Sequence, residues 1–143
     1  MPNWNQIIDK LDYVFQPIIH SHTGKLYAVE ALIRNVQNIS GLNAIDDLFN
    51  MAFNDDYLYE LDLHLREKAI KKFSHIKIDD LKLFYNLDNR IIYNKNLSSG
   101  NTSKILKKYQ LNKNVICFEL SEKGTSIEQN ALSTMLQRYK QNG

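Results

Sequence analysis

Cysteine, proline and glycine are scarce in this chain. Its 143 residues include one cysteine, two prolines and five glycines. A single cysteine excludes a disulfide framework, so we expect a cytoplasmic protein in which Cys117 is a buried and inert thiol. Five scattered glycines also leave no glycine-rich loop that could hold a phosphate group.

Long apolar runs and a strong excess of one charge are missing as well. No run approaches the roughly 18 apolar residues that would cross a bilayer. Polar Asn3, Asn5 and Gln6 stand where a signal peptide would be apolar. The net charge of +2 at pH 7 gives no reason to expect a nucleic-acid polymer or a membrane as partner. We therefore expect a globular domain without direct membrane insertion.

Hydrophobic spacing predicts an alternation of strands and helices. Residues 1–11 are interpreted as a lead-in helix or linker remnant, and residues 12–143 as the domain. Strands are predicted at 13–20, 26–34, 81–87 and 115–120, with a hairpin turn at Thr23-Gly24 and a polar loop at 35–43. Helices are predicted from Ile45, over 57–74, from a cap at Thr102 or Ser103 to near Tyr109, and from Thr125 to the end.

After the opening hairpin, this order predicts parallel strands joined by crossover helices. Polar groups at the carboxyl ends of such strands are typical of (β/α)8 barrels, which need roughly 250 residues. The chain supplies four predicted strands. The predicted fold class is therefore α/β: a truncated (β/α)8-type barrel made of its first four strands with intervening helices.

Oxygen-bearing side chains occur on three successive predicted strands. Glu30, Asn86 and Glu119 offer two carboxylates and one amide, which suit Mg²⁺ or Mn²⁺. Arg34 shares a strand face with Glu30, and its planar guanidinium suits a phosphate group. The alternative is that each polar residue simply marks a solvated strand end. His20 and His22 flank a turn and lack a nearby third ligand, so we interpret them as ordinary turn residues.

The motifs together resemble a known family. Gln16-Pro17-Ile18, Glu30-Ala31-Leu32-x-Arg34, the strand bearing Asn86, and Glu119-Leu120-Ser121-Glu122 resemble the first four motifs of the EAL domain. EAL domains are bacterial cyclic-di-GMP phosphodiesterases with a barrel fold, which hydrolyse the dinucleotide to linear pGpG with Mg²⁺ or Mn²⁺. The resemblance covers residues 12–142, which correspond to about the first half of the family domain.

The resemblance implies a role for each matching residue. Glu30, Asn86 and Glu119 correspond to metal ligands, and Gln16, Leu32 and Arg34 to residues that contact the dinucleotide. Glu122 corresponds to the acid that anchors an active-site loop. Ser121 replaces the usual threonine and keeps its hydroxyl group.

One departure from the family limits the expected activity. The family's fifth strand carries an Asp-Asp-Phe-Gly motif and later strands carry Lys, Glu and Gln, and this chain has no counterpart of them. We expect a fragment or truncated form of a cyclic-di-GMP phosphodiesterase that is inactive in isolation and binds metal weakly or not at all. The alternative is a degenerate EAL module that senses nucleotide or binds a protein. The open edge of the last strand predicts a homodimer.

Overall fold

The computed structural model describes residues 2–93 and 100–120. In chain order, the described elements are α1 (Trp4–Lys10), β1 (Asp12–Ile19), β2 (Leu26–Arg34), α2 (Ile45–Asn54), α3 (Leu58–Phe73), β3 (Lys82–Leu87), α4 (Asn101–Lys108) and β4 (Ile116–Leu120), with 3₁₀ turns at Val36–Asn38 and Asn89–Tyr93. The helix predicted from Thr125 lies outside the described residues. None of the described helices is long and apolar enough to cross a membrane.

The strands form one sheet in the order β1-β2-β3-β4. β1 and β2 are antiparallel and form a hairpin, whose turn includes Gly24 at a φ of +67°. Glycine suits that position because a left-handed backbone costs it little. β2, β3 and β4 run parallel, with Glu30 beside Phe84 and Asn86 beside Glu119. The predicted order of adjacent parallel strands after a hairpin is thus confirmed.

Helices cover one face of this sheet. Alternate residues of the strands point to that face and are buried against the helices. The buried strand residues that follow this alternation are Tyr13, Val29, Ala31, Ile33, Leu83, Tyr85, Leu87 and Ile116. They pack with the apolar residues of α3, where Leu61, Leu65, Ala69 and Ile70 are fully buried. The opposite face carries the polar residues singled out in the sequence.

The first helix is joined to this core. Trp4 is buried and its ring stacks on Tyr57, with the ring centroids 4.9 Å apart. The Lys68 ammonium donates to the backbone oxygens of Ile8 and Leu11, at 2.6 and 2.7 Å. These oxygens belong to the last turn of α1, where a cation also complements the helix dipole. The division of the chain at residue 12 stays a prediction.

Two sequence predictions were wrong in detail. The stretch 35–43 is not simply a polar loop, because Val36, Ile39 and Leu42 are buried in the core around a 3₁₀ turn. Gly100, rather than Thr102 or Ser103, is the N-cap of α4, and its φ of +88° is one that glycine readily adopts. Thr102 is the second residue of the helix and is itself buried.

Candidate functional site

The predicted metal ligands lie on neighbouring strands, at the face of the sheet that none of the described helices covers. Asn86 and Glu119 are direct neighbours in the parallel pairing of β3 and β4. Glu30 lies on β2 on the other side of β3, and the Asn86 amide donates to its Oε2 at 3.0 Å. Three adjacent parallel strands therefore bring two carboxylates and one amide together, with Asn86 and Glu119 near the carboxyl ends of β3 and β4 and Glu30 in the middle of β2.

Electrostatics link the two carboxylates. Partial burial raises the pKa of Glu119, and the negative charge of Glu30 raises that pKa further. Two like charges held close together favour either a proton or a bound cation. Because carboxylate and amide oxygens are the ligands that Mg²⁺ and Mn²⁺ prefer, the donor set fits such an ion.

This set is small for a metal centre. Over residues 2–93 and 100–120, no three His, Cys, Asp or Glu side chains converge in a way that could hold a metal ion. Glu30 and Glu119 are the acids of the set, and Asn86 is its neutral member. His20 and His22 have ring centroids 6.4 Å apart in the hairpin turn, and they remain interpreted as turn residues.

The residues predicted to contact the dinucleotide border the same face. Gln16 is exposed and pairs with Glu30 across the β1–β2 ladder. Leu32 is half-buried two residues further along β2. Arg34 is exposed at the end of β2, and its Nη1 donates to the backbone oxygen of Ile33 at 2.9 Å. The strand order therefore places Gln16 next to Glu30, whereas Arg34 lies four residues beyond Glu30.

A pocket of about 230 Å³ opens beside the strand ends. It lies between α2 and the ends of β2 and β3, and both Leu32 and Asn86 contribute to its wall. The other lining residues are Tyr13, Ala31, Ile33, Ile45, Asp46, Phe49, Tyr85, Leu87 and Asp88. The pocket is mainly apolar, and Asp46 and Asp88 are the acidic residues of its lining.

Cys117 and Glu122 were also singled out in the sequence. Cys117 was predicted to be buried, and the structure shows it only partly buried. It precedes Glu119 by two residues and so shares the face of the sheet that the helices leave open. Ser121 and Glu122 lie outside the described residues, so the loop-anchoring role of Glu122 stays a prediction.

Sequence reasoning missed a buried polar cluster on the opposite face of the sheet. Asp62 and Arg66 form an ion pair one turn apart in α3, and both are almost completely buried. The hydroxyl of Tyr85 donates to Asp62 Oδ1 at 3.1 Å. The available signal was an acid and a base four residues apart within an apolar helical pattern. That spacing is common on exposed helix faces, so it did not indicate burial.

A comparison with known protein families identifies the family of this chain. The family described as "EAL domain" matches residues 5–143. The chain belongs to the EAL family. No curated protein matches the sequence.

Solved EAL structures share the fold. The EAL enzyme Bd1971 in its cGMP-bound form has a TM-score of 0.73 and 18% identity, covering 98% of this chain and 41% of that chain. The PaMucR phosphodiesterase in complex with c-di-GMP has a TM-score of 0.72 and 18% identity, covering 94% and 56%. BlrP1 from Klebsiella pneumoniae, as a manganese and cyclic-diGMP complex at pH 6, has a TM-score of 0.75 and 18% identity, covering 94% and 33%.

These neighbours are longer than the EAL chain described here, which spans 33% to 56% of their lengths. At such low identity the likeness establishes the fold alone. The fold is that of the first part of a TIM-barrel-like EAL domain, as predicted from the strand order.

Proposed function

We propose that this chain provides the first half of a metal-dependent phosphodiesterase domain that hydrolyses cyclic-di-GMP to pGpG. One observation carries the proposal: Glu30, Asn86 and Glu119 present their polar groups on one face of three adjacent parallel strands, with the Asn86 amide bound to Glu30. Membership of the EAL family supports it. So do structural neighbours described as complexes with cyclic-di-GMP.

In this proposal Glu30, Asn86 and Glu119 hold Mg²⁺ or Mn²⁺. The bound ion would activate the attacking water and offset the charge that develops on the phosphate. The two carboxylates would attract the ion through their negative charge. Because Glu30 and Glu119 repel each other, a bound cation would offset that repulsion. Asn86 adds a neutral ligand, and its bond to Glu30 keeps the two side chains together.

The dinucleotide would lie across the neighbouring residues. Arg34 can pair its planar guanidinium with two oxygens of one phosphate group. Gln16 can offer an amide to a polar edge of the ligand, and Leu32 an apolar contact in the pocket wall. Glu122 would anchor a loop of the active site.

We also propose that the 143-residue polypeptide is inactive when it is assayed alone. In the family, paired aspartates and a lysine on later strands complete the catalytic set, and the 143 residues contain no Asp-Asp-Phe-Gly. Loss of groups that stabilise developing charge costs roughly 10²–10³ in rate for each one.

Incubation of the purified chain with cyclic-di-GMP and Mn²⁺, followed by chromatography, tests this point. We expect no pGpG above the level given by Glu30→Gln, the matched control that removes one ligand charge. Turnover at ordinary enzyme rates that Glu30→Gln abolishes would overturn the proposed inactivity. Equal turnover by both proteins would reveal a contaminating enzyme.

The DNA that follows the codon for Gly143 distinguishes the two classes of function. An in-frame Asp-Asp-Phe-Gly supports the hydrolase, and an assay of that longer product then measures its activity directly. The alternative, a degenerate module that senses nucleotide or binds a protein, gains support if the longer product binds cyclic-di-GMP without hydrolysing it.

Metal binding by the isolated chain is expected to be weak. Two carboxylates and one amide fill only part of the coordination shell of Mg²⁺, which demands six ligands in near-ideal octahedral geometry. Calorimetry with MgCl2 should show no binding in the micromolar range. Micromolar binding that Glu119→Gln abolishes would contradict this expectation.

Assembly and location complete the proposal. Among residues 2–93 and 100–120, one face of the sheet has no helix over it and β1 and β4 are the end strands, which suits a second copy of the same chain, so a homodimer is proposed. A cytoplasmic location is proposed from the single cysteine.

A further inference from the structure

A buried arginine lies directly beneath the strands that carry two of the proposed metal ligands. Arg66 is 1% exposed and its ion-pair partner Asp62 is 2% exposed. The Nη1 of Arg66 donates to the hydroxyl of Thr102 in α4 at 2.7 Å. The guanidinium is thus fixed by α3 and α4 at once, on the face of the sheet opposite the site.

The same guanidinium contacts two aromatic rings of the sheet. Its Cζ lies 5.1 Å from the ring centroid of Phe118 and 5.9 Å from that of Tyr85. The two rings meet edge to face, with their centroids 6.1 Å apart. Tyr85 is additionally bound to Asp62 through its hydroxyl group. Cation–π contacts in a dry environment are stronger than those at exposed sites.

Both rings immediately precede a proposed ligand. Tyr85 comes before Asn86 on β3, and Phe118 comes before Glu119 on β4. Successive side chains of a strand point to opposite faces, so the backbone that holds each ring also aims the next side chain at the site. Tyr85 pairs with Phe118 and Asn86 pairs with Glu119 in the same register.

Stability alone does not account for this arginine. Burial of an ion pair carries a desolvation penalty, and well-packed apolar residues of similar volume often replace such a pair without loss of stability. Functional groups, by contrast, need to be held within about 0.5 Å of their working positions. A misplacement of about 1 Å can reduce catalysis by roughly 10²-fold.

We infer that Arg66 is a positioning residue of the proposed metal site: by holding the rings of Tyr85 and Phe118, it sets the placement of Asn86 and Glu119 on the other face of the sheet. The role of these two residues as ligands rests on the proposed function. Their placement does not, because it follows from the pairing of β3 with β4 and from the hydrogen bond between the Asn86 amide and Glu30.

The test uses the full 143-residue chain and the paired change Asp62→Asn with Arg66→Met. Both charges are removed together, so no unpaired charge is left buried. Asparagine keeps an oxygen that can accept from Tyr85, and methionine fills space flexibly. Lys108→Met is the matched control, because it removes an exposed ion pair between α4 and Glu67 of α3.

The first measurement is the exchange of the Asn86 side-chain amide protons with water, followed by NMR. We expect exchange to become at least roughly threefold faster in the double variant, as the bond to Glu30 is populated less. Lys108→Met should leave the exchange rate of the Asn86 amide unchanged. The wild type, the double variant and Lys108→Met should unfold at similar temperatures. Unchanged exchange in a folded double variant would overturn the inference.

Two further variants keep the result decisive if the double variant fails to fold. Arg66→Lys retains the charge opposite Asp62 but lacks the planar guanidinium that packs on the rings. Phe118→Leu removes one ring and leaves the ion pair intact. We expect faster Asn86 exchange in both, and wild-type exchange in both would refute a positioning role.

The second measurement separates this inference from the proposed function. Mn²⁺ added at millimolar concentration should broaden the NMR signals of Asn86 and Glu119 in the wild type, and less so in the double variant. If Mn²⁺ broadens neither signal in the wild type while the exchange result holds, the metal site fails and the positioning role stands. If Mn²⁺ broadens these signals equally in the wild type and the double variant, and the Asn86 exchange rate is the same in both, the positioning role fails and the metal site stands.

Discussion

At the scale of single residues, Glu119 carries a negative charge that its surroundings disfavour. Its carboxyl group is partly buried, and Glu30 lies close enough to repel it, so its folded-state pKa is raised. Glu67 shows the opposite balance on α3. Burial opposes its ionisation, but bonds from Lys108 and Tyr109 outweigh that effect and lower its pKa.

Glu119→Gln should stabilise the chain at pH 7.5 and have no such effect near pH 4. A raised folded-state pKa means that the folded protein binds the proton more tightly than the unfolded chain. The stability that Glu119 contributes is therefore fully present below the unfolded-state pKa of about 4.3, and it is lost as pH rises through the folded-state pKa. The neutral glutamine avoids that loss, which we place at about 0.2–1 kcal/mol from the usual size of side-chain pair interactions between strands. Urea unfolding at the two pH values measures it.

Glu67→Gln is the control of opposite sign. Because the pKa of Glu67 is lowered, its contribution is present above the unfolded value and is lost as pH falls through the folded pKa. The glutamine variant should therefore be the less stable protein at pH 7.5 and equal to the wild type in acid. The same sign of effect for both variants would show that charge is not the cause.

At the scale of elements, α3 connects the parts of the fold. Lys68 binds the last turn of α1, and Lys72 donates to the backbone oxygen of Tyr13 at 2.6 Å at the start of β1. Asp62 and Arg66 connect the same helix to β3, β4 and α4. One helix thereby sets the position of the first helix and of the strands that carry the site.

Lys68→Met should loosen α1 without unfolding the sheet. The variant loses the two hydrogen bonds that the Lys68 ammonium donates. Hydrogen bonds to charged groups contribute about 1.5–3 kcal/mol, so we expect a loss of stability of that size. Hydrogen exchange of the amides in α1 should accelerate, while that of β2 and β3 stays unchanged. Lys71→Met changes an exposed lysine of the same helix and should alter neither. If the α1 amides of Lys68→Met exchange at the wild-type rate, Lys68 does not hold α1 against the core.

At the scale of the whole molecule, the two faces of the sheet differ. Helices bury one face, and the other carries Glu30 and Asn86 together with partly exposed apolar residues. Val14 on β1 is 41% exposed and Tyr27 on β2 is 43% exposed. Within the described sheet, β1 and β4 each have one neighbouring strand, and unpaired strand edges readily recruit another chain.

The isolated chain should therefore form a dimer in solution. Light scattering is expected to give about twice the monomer mass of 16.7 kDa, with little change on dilution. Val14→Lys places a charge on the edge strand and should shift the protein toward monomer. Ile78→Lys alters an equally exposed apolar residue outside the strands, and it should leave the dimer intact. A stable mass of 16.7 kDa for the wild type would refute the dimer.

The local elements were predictable because their signals are local. The apolar spacing in α3 and the runs in β2 and β3 place those elements within one residue of their observed bounds. Motif order around Glu30, Asn86 and Glu119 also indicated the family, since each motif is read from a few adjacent residues. The elements needed only the periodicities of helices and strands, whereas the family came from the resemblance of those motifs to known ones.

Only the tertiary structure decided which residues share an environment. The bond between Asn86 and Glu30 spans 56 positions of sequence, and the placement of Arg66 beneath Phe118 spans a similar distance. The burial of Arg66 and Thr102, and the partial exposure of Cys117, depend on which sheet face the helices cover. Residue type sets what a side chain can do, whereas packing between distant segments sets its partners and its access to water, and periodicity carries no information about such packing.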